Sequence, residues 1–158
     1  YEMVPLEEAC AKLNAILQKD TESDQYLTMA LAKVGLDTGR VEICQAGHPS
    51  PAVQRSDGSV TYLELWSTPI GLLDECEYAK ATVDLAPGDR LMLYSDGITE
   101  CPDQNDVLLD EDGFAEILET HRDKQGPDLV DAVVDALIAY AGKNDFPDDL
   151  SAALIERL

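Results

Sequence analysis

The sequence predicts an α+β fold in which mainly antiparallel β-sheets are flanked by helices. One amphipathic helical segment comes first, and several short strand-like segments follow it. Turns rich in Asp, Gly and Pro join these segments into hairpins, and two helical segments and a last strand complete the chain. Strands and helices do not alternate, so a parallel βαβ winding is not expected. With 158 residues, of which 45% are hydrophobic, the chain is expected to form one domain with a substantial core.

The first helix is predicted over Val4–Leu17, in the segment VPLEEACAKLNAIL. Pro5 suits the first helical turn, and Glu7 and Glu8 lie near the positive end of the helix dipole. Apolar residues recur at helical spacing and predict the buried face: Leu6, Cys10, Leu13 and Leu17. The polar segment 18–25 is expected to connect this helix to the first strand.

Short turns predict two hairpins in the middle of the chain. The first turn is DTG at 37–39 and the second is SDGS at 56–59. A Pro-Gly turn at 86–89 is expected to join two further strands, and 67–73 is expected to be a loop. The predicted strands are 26–36, 40–46, 52–55, 60–65, 78–85 and 90–95. The segment LDTGR contains the aspartic-protease triplet, but its place in a hairpin turn favours a structural role.

The last third of the chain predicts two helices and a strand. After an acidic connector at 101–112, a short helix is expected at 113–121. A longer helix is expected at 126–142, beginning at Pro127 and ending at Gly142. Its expected apolar face consists of Leu129, Val133, Leu137 and Tyr140. The final strand is predicted within 150–158.

Charge and cysteine content exclude several classes of function. The net charge is −21, with 32 acidic and 11 basic residues, which argues against nucleic acid or an anionic membrane as a partner. No apolar run approaches 20 residues and no signal peptide is recognised, so no membrane span is expected. The four cysteines are far apart and form no C-x-x-C pair, which argues against a zinc site and indicates reduced thiols in a cytoplasmic protein.

An acidic residue ends the strand in LMLYSDGITE, and two more precede the last strand. The first is Asp96, and the others are Asp148 and Asp149. If these strands are antiparallel neighbours, the end of one lies beside the start of the other. The carboxylates would then meet at one rim of a sheet, and such hard oxygen ligands favour Mg²⁺ or Mn²⁺. The alternative is a plain turn, because Asp-Gly is a common turn dipeptide and Gly97 tolerates unusual backbone angles.

Other candidate residues have simpler interpretations. The acids after Asp103 do not form an EF-hand, because Leu108 occupies the position that requires glycine. His48 lies in a Gly-Pro loop and is expected to stabilise that loop, with a functional imidazole as the alternative. His121 is expected to interact with a helix dipole. Trp66 is expected to pack in the core or in an interface.

Four segments, in this order, resemble the metal-dependent protein phosphatases of the 2C type. They are AGHPSP at Ala46–Pro51, TPIGLL at Thr68–Leu73, LAPGDRLMLYSDGITE at Leu85–Glu100 and PDDLSAALIERL at Pro147–Leu158. The resemblance is to the bacterial branch of the stage II sporulation phosphatase and the stress-response phosphatases that act on anti-sigma-factor antagonists. It covers nearly the whole chain.

The resemblance implies an enzyme, a fold and a set of metal ligands. The fold would be a sandwich of antiparallel sheets flanked by helices, with a centre of two Mn²⁺ or Mg²⁺ ions. Asp96 matches the ligand of the family's Asp-Gly motif, Asp148 matches the ligand near the C-terminus, and Asp149 is its neighbour. Asp96 and Asp148 would thus carry the catalysis, in which a water activated by the metals attacks phosphoserine or phosphothreonine of a regulatory protein.

One family motif has no counterpart in this sequence. The family carries an Asp-x-x-Gly-His-Gly element whose Asp bridges both metals, and no such element precedes Tyr26. Residues 1–158 are therefore expected to be the C-terminal portion of a single phosphatase domain, with an upstream sensor or receiver domain. This chain alone is expected to hydrolyse its substrate slowly or not at all. The alternative is a non-catalytic module that has kept the fold and binds a partner.

Overall fold

The computed structural model describes residues 4–20 and 25–158, apart from the side chain of Asp20. It confirms an α+β fold with antiparallel sheets flanked by helices. The helices are α1 Leu6–Asp20, α2 Asp96–Thr99, α3 Asp110–Thr120 and α4 Gly126–Ala141. The strands are β1 Met29–Val34, β2 Arg40–Ala46, β3 Ala52–Gln54, β4 Val60–Tyr62, β5 Lys80–Asp84, β6 Arg90–Tyr94 and β7 Ala152–Glu156. Part of the predicted connector 18–25 lies outside the described residues, and 18–20 belong to α1.

The chain divides into two compact units. The first unit comprises the described residues of Tyr1–Ser50 and Leu63–Asp84. Its sheet has the order β1-β2-β5, and both neighbouring pairs are antiparallel. The DTG turn joins β1 to β2 as predicted, with Met29 opposite Ala46 at the open end of the hairpin. The core of this unit consists of Cys10, Cys44, Ala46, Ile70 and Tyr78.

Helix α1 buries an asparagine where the apolar pattern predicts a leucine. Leu13 is 41% exposed, whereas Asn14 is 3% exposed. The Asn14 side chain donates to the carbonyl oxygen of Leu73 at 2.9 Å and accepts from the amide of Gly71 at 2.7 Å. These bonds satisfy the buried amide group, so the helix turns its polar residue inwards. The prediction of Leu13 on the buried face was therefore wrong.

Trp66 also differs from its prediction. It lies in the loop before Ser67 and is 92% exposed, so it does not belong to the core of the first unit. The hydroxyl of Ser67 accepts a hydrogen bond from the amide of Ala79 at 2.6 Å, which ties the two ends of the 67–79 loop together. Core packing of Trp66 was thus a wrong expectation, and its place in an interface stays a prediction.

The second unit comprises Pro51–Tyr62 and Leu85–Leu158. Its sheet has the order β4-β3-β6-β7, with every neighbouring pair antiparallel. Helix α3 begins at Asp110, three residues before the predicted start, and three acidic residues occupy its first turn. Helix α4 follows its prediction closely, and Gly142 ends it in the left-handed conformation. The buried core of this unit consists of Ala52, Met92, Tyr94, Ile98, Cys101, Leu109, Phe114, Leu118, Leu129, Val133, Leu137 and Ala141.

A buried ion pair joins β6 to β7 and to the start of α4. Arg90 and Glu156 face each other across the strands, with Arg90 Nε 3.0 Å from Glu156 Oε1. Their side chains are 8% and 14% exposed. Glu156 Oε2 also accepts from the amide of Gly126 at 2.6 Å, and Arg90 donates to Gln54 Oε1 at 3.2 Å and to the carbonyl of Arg122 at 3.0 Å. These bonds connect β6 to β3, to β7 and to the α3–α4 loop, and they connect β7 to the start of α4.

The Pro-Gly turn before β6 is held by the buried carboxylate of Asp89. This side chain accepts from Arg55 at 2.8 Å and from the amides of Ser56 and Ala86, both at 2.9 Å. Burial by itself raises the pKa of Asp89, but the hydrogen bonds from Arg55, Ala86 and Ser56 outweigh it, so the pKa lies below its usual value. The charged form of Asp89 is therefore the one that stabilises the fold.

Asp89→Asn is expected to lower the free energy of unfolding by about 1.5–3 kcal/mol near pH 7, because a charged acceptor of three hydrogen bonds is lost. Because the pKa of Asp89 is lower in the folded state than in the unfolded state, the charged carboxylate stabilises the fold at pH values above the unfolded-state pKa, which is about 4. This stabilisation is lost as the pH falls through the folded-state pKa. Urea unfolding at pH 7 and pH 3 tests this. The difference between wild type and variant should shrink at pH 3, and a difference independent of pH would contradict the role of the charge.

The four cysteines are free thiols in the structure. Cys10, Cys44 and Cys101 are buried, and Cys76 is half-buried. The sulfur atoms of Cys10 and Cys44 lie 3.6 Å apart. Burial raises the pKa of Cys44 to about 12, so its thiol stays protonated. Among the described helices, none is long and apolar enough to cross a membrane.

Candidate functional site

Asp96 lies where strand β6 ends, but it does not occupy the turn that the Asp-Gly pair suggests. It is the first residue of the short helix α2, Asp96–Thr99. Its side chain is exposed, and Asp96 Oδ1 accepts a hydrogen bond from the amide of Gly97 at 3.1 Å. The strand before it is buried on most of its length, so β6 fixes the position at which the carboxylate emerges.

Gly97 is required by a close contact and not by unusual backbone angles. It is absent from the glycines with positive φ. A Cβ atom at this position would lie 2.7 Å from the carbonyl oxygen of Asp149, closer than real Cβ atoms approach other atoms. The explanation of Gly97 by backbone freedom was therefore wrong. The missing side chain allows the helix after Asp96 to pack directly on the segment that carries Asp149.

Ser95 joins the same two segments by hydrogen bonds. Its amide donates to the carbonyl of Ser151 at 2.9 Å, which continues the β6–β7 ladder beyond the pair of Tyr94 and Ala152. Its hydroxyl donates to the carbonyl of Asp149 at 3.0 Å and accepts from the amide of Ser151 at 2.9 Å. The antiparallel neighbourhood of β6 and β7 that the sequence analysis assumed is thus present in the structure.

Asp148 and Asp149 lie in the exposed turn that leads into β7. Asp148 Oδ1 accepts from the amide of Asp149 at 2.7 Å, and both side chains face solvent. Within the described part of the chain, no ion pair involves Asp96, Asp148 or Asp149. The structure therefore brings the segments of all three predicted residues to one rim of the second sheet, and no basic side chain among the described residues forms an ion pair with their carboxylates.

The chemistry of these donors fits a hard divalent cation, but the set is small. Carboxylate oxygens are the ligands that Mg²⁺ and Mn²⁺ prefer. Residues 4–20 and 25–158 contain no group of three His, Cys, Asp or Glu side chains arranged to hold a metal ion. Asp96, Asp148 and Asp149 therefore do not form a complete metal site by themselves.

The sequence matches the model of a known protein family. The family model described as stage II sporulation protein E (SpoIIE) matches residues 1–158, which is the full sequence. The chain belongs to the SpoIIE family. This confirms the family that the four sequence segments indicated. The curated relative phosphoserine phosphatase RsbU of Bacillus subtilis is 26% identical over 148 residues, which cover 92% of this chain and 43% of RsbU. The SpoIIE-family chain thus spans less than half of that relative.

Solved structures of known proteins share the fold of this chain. The RsbU and RsbW domains of Rv1364c from Mycobacterium tuberculosis match with a TM-score of 0.77 and 23% identity, covering 98% of this chain and 42% of that one. The phosphatase domain of SpoIIE from Bacillus subtilis, presoaked with Mn, matches with a TM-score of 0.67 and 18% identity, covering 98% of this chain and 67% of that one. These likenesses show that the SpoIIE-family chain has the fold of such phosphatase domains.

Two other sequence candidates make local hydrogen bonds. The Asp103 carboxylate accepts from the amides of Asn105 and Val107, so it organises its own loop. The LDTGR segment forms the predicted hairpin turn, in which Thr38 bonds to Gly35 and Arg40. His121 is the residue that follows the end of α3, and its interaction with the helix dipole stays a prediction.

Ser95 and Gly97 are the site residues that the sequence analysis did not assign to the site. Their contacts are with residues more than 50 positions away along the chain, so local patterns could not reveal them. The available signal was their position, since both flank an Asp at the end of a predicted strand.

Proposed function

We propose that this SpoIIE-family domain is a metal-dependent protein phosphatase that hydrolyses phosphoserine or phosphothreonine on a regulatory protein, such as an anti-sigma-factor antagonist. The observation that carries the proposal is the direct packing of the Asp96 segment on the Asp148–Asp149 segment, at one rim of a sheet, in a chain of this family. The relative RsbU is named as a phosphoserine phosphatase, which supports the same class of reaction.

The carboxylates have distinct roles in the proposal. Asp96 and Asp148 would each supply a carboxylate ligand to Mn²⁺ or Mg²⁺, and Asp149 would be the alternative ligand beside Asp148, because the three side chains do not form a three-membered metal cluster. A bound ion of this kind lowers the pKa of a water molecule and offsets negative charge on the phosphoryl oxygens. Strand β6 and the contacts of Ser95 and Gly97 hold the segment of Asp96 against the 149–151 segment.

The remaining ligands are proposed to come from a part of the protein outside this sequence. The described residues supply no three-membered metal cluster, and the Asp-x-x-Gly-His-Gly element of the family is not found within 1–158. We propose that residues 1–158 are the C-terminal portion of a single phosphatase domain. An upstream sensor or receiver domain would control it.

A non-catalytic module is the second candidate, and the missing element favours it. In that case the fold has been kept to bind a regulatory protein, and nothing is hydrolysed. The two candidates differ in the sequence encoded before Tyr1. An intact Asp-x-x-Gly-His-Gly there supports the enzyme, and a degenerate one supports the binding module.

The direct test is phosphate release by the complete gene product from a phosphoserine-containing protein, with Mn²⁺, with Mg²⁺ and with EDTA. The proposal expects turnover that depends on the divalent ion and disappears with the chelator. Turnover that is unaffected by the chelator would reject the metal-dependent mechanism. Binding of the phosphoprotein without any turnover would select the non-catalytic module.

A further inference from the structure

Ser95 is placed differently from an ordinary residue before a helix. It occupies the N-cap position of α2, where a serine hydroxyl commonly accepts a hydrogen bond from an amide of the first helical turn. Here the hydroxyl makes no such bond to the helix. It instead reaches across to the turn before β7, where it bonds to Asp149 and Ser151. The Ser95 hydroxyl therefore bonds to a segment 54 residues away along the chain and does not cap its own helix.

This link connects the backbones of the two acidic segments. Ser95 is covalently adjacent to Asp96, and its hydroxyl both donates to the Asp149 carbonyl and accepts from the Ser151 amide. A hydroxyl can serve as donor and acceptor at once. The same side chain therefore fixes where the 149–151 backbone lies relative to Asp96. The contact of Gly97 with the Asp149 carbonyl lies on the same stretch of backbone.

We propose that Ser95 is a positioning residue of the metal site, which sets the separation of Asp96 from Asp148 and Asp149 through its hydroxyl. The proposal rests on the proposed function, because it assumes that these carboxylates bind the metal. Ser95 itself contacts neither metal nor substrate. Groups that orient metal ligands in this way commonly change metal affinity by about 10–100-fold when they are removed.

The variants Ser95→Val and Ser95→Thr separate the hydroxyl from the shape of the side chain. Valine and threonine have nearly the same size, and only threonine retains the donor and acceptor. Ser95→Ala removes the hydroxyl without adding volume. Ser59→Ala is the matched control, because its hydroxyl donates to Asp57 Oδ1 within the β3–β4 turn. That turn follows Gln54, which pairs with Arg90 at the opposite end of β6 from Ser95.

The measurement is the Mn²⁺ dissociation constant of the complete gene product by isothermal titration calorimetry, well below the thermal midpoint of each variant. Ser95→Ala and Ser95→Val should weaken Mn²⁺ binding by about 10-fold or more. Ser95→Thr and Ser59→Ala should stay close to the wild type. Circular dichroism verifies the folding of each variant. If Ser95→Ala does not fold, the comparison of Ser95→Val with Ser95→Thr still tests the role of the hydroxyl.

The results that would overturn the inference are of two kinds, and these can be told apart. If the wild type binds Mn²⁺ and the Ala and Val variants bind it equally well, Ser95 has no positioning role and the proposed function is untouched. A Thr variant as weak as the Val variant has the same meaning, because the hydroxyl then contributes nothing. If the wild type binds no Mn²⁺, the proposed metal site fails and the role of Ser95 fails with it.

Discussion

Asp96→Asn is expected to reduce Mn²⁺-dependent phosphate release by the complete gene product by more than about 100-fold. Outer-shell partners of metal sites already cost about 10–100-fold, and Asp96 is proposed to bind the metal directly. The amide of asparagine keeps the size of the side chain and one oxygen atom, but it removes the negative charge that holds a hard cation. The measurement is phosphate release at saturating phosphoprotein over a range of Mn²⁺ concentrations.

Asp148→Asn should cause a loss of similar size, since Asp148 is the second proposed ligand. Asp149→Asn tests whether Asp149 is a metal ligand or only the neighbour of one. If Asp149 is a ligand, the variant should need a higher Mn²⁺ concentration for half-maximal phosphate release. Asp135→Asn is the matched control, because it removes one exposed carboxylate from α4 in the same unit. If all four variants lose activity alike, the effect follows from net charge and the assignment of the ligands is wrong.

Glu156→Gln is expected to lower the free energy of unfolding by about 3–5 kcal/mol, because it leaves the buried charge of Arg90 without a carboxylate partner. The substitution keeps the shape of the side chain and removes the charge. The Arg90 guanidinium is only 8% exposed, so water replaces little of the lost interaction. Urea unfolding followed by circular dichroism at pH 7 measures the change.

The chain contains a matched control for this experiment. Lys33 and Glu42 also face each other across two antiparallel strands. Their charged atoms are 3.6 Å apart and their side chains are 44% and 43% exposed, so solvent screens the pair. Glu42→Gln should therefore cost less than about 1 kcal/mol. Equal losses at the two positions would show that burial does not determine the strength of the Arg90–Glu156 pair.

Much of the fold was predictable because local signals specify it. The DTG and SDGS turns predicted two hairpins that the structure confirms, and Gly142 predicted the end of α4. Errors arose where a distant group decides the outcome. Asn14 is buried because main-chain groups near residues 71–74 bond to it, and no periodicity of α1 contains that information.

The candidate site was likewise predictable only where local sequence signals specify it. The acidic residues at strand ends were visible in the sequence, and antiparallel pairing of β6 and β7 was enough to bring their segments together. The contacts that hold those segments were not visible. Gly97 was interpreted as a turn glycine, because Asp-Gly is common in turns. The position of the Asp149 carbonyl explains why a side chain is excluded there.

The order of strands in the second sheet predicts that β6 and β7, which carry the acidic segments, open locally at different free-energy costs. Strand β6 is paired on both sides, with β3 and β7, whereas β7 is paired only with β6 in the sheet that the structure describes. A strand held on one side detaches at a lower free-energy cost than one held on both. Amide hydrogens of Ala152 and Ala153 should therefore exchange with solvent before those of Leu91 and Met92, and the carboxylates of residues 148 and 149 should move away while Asp96 stays in place.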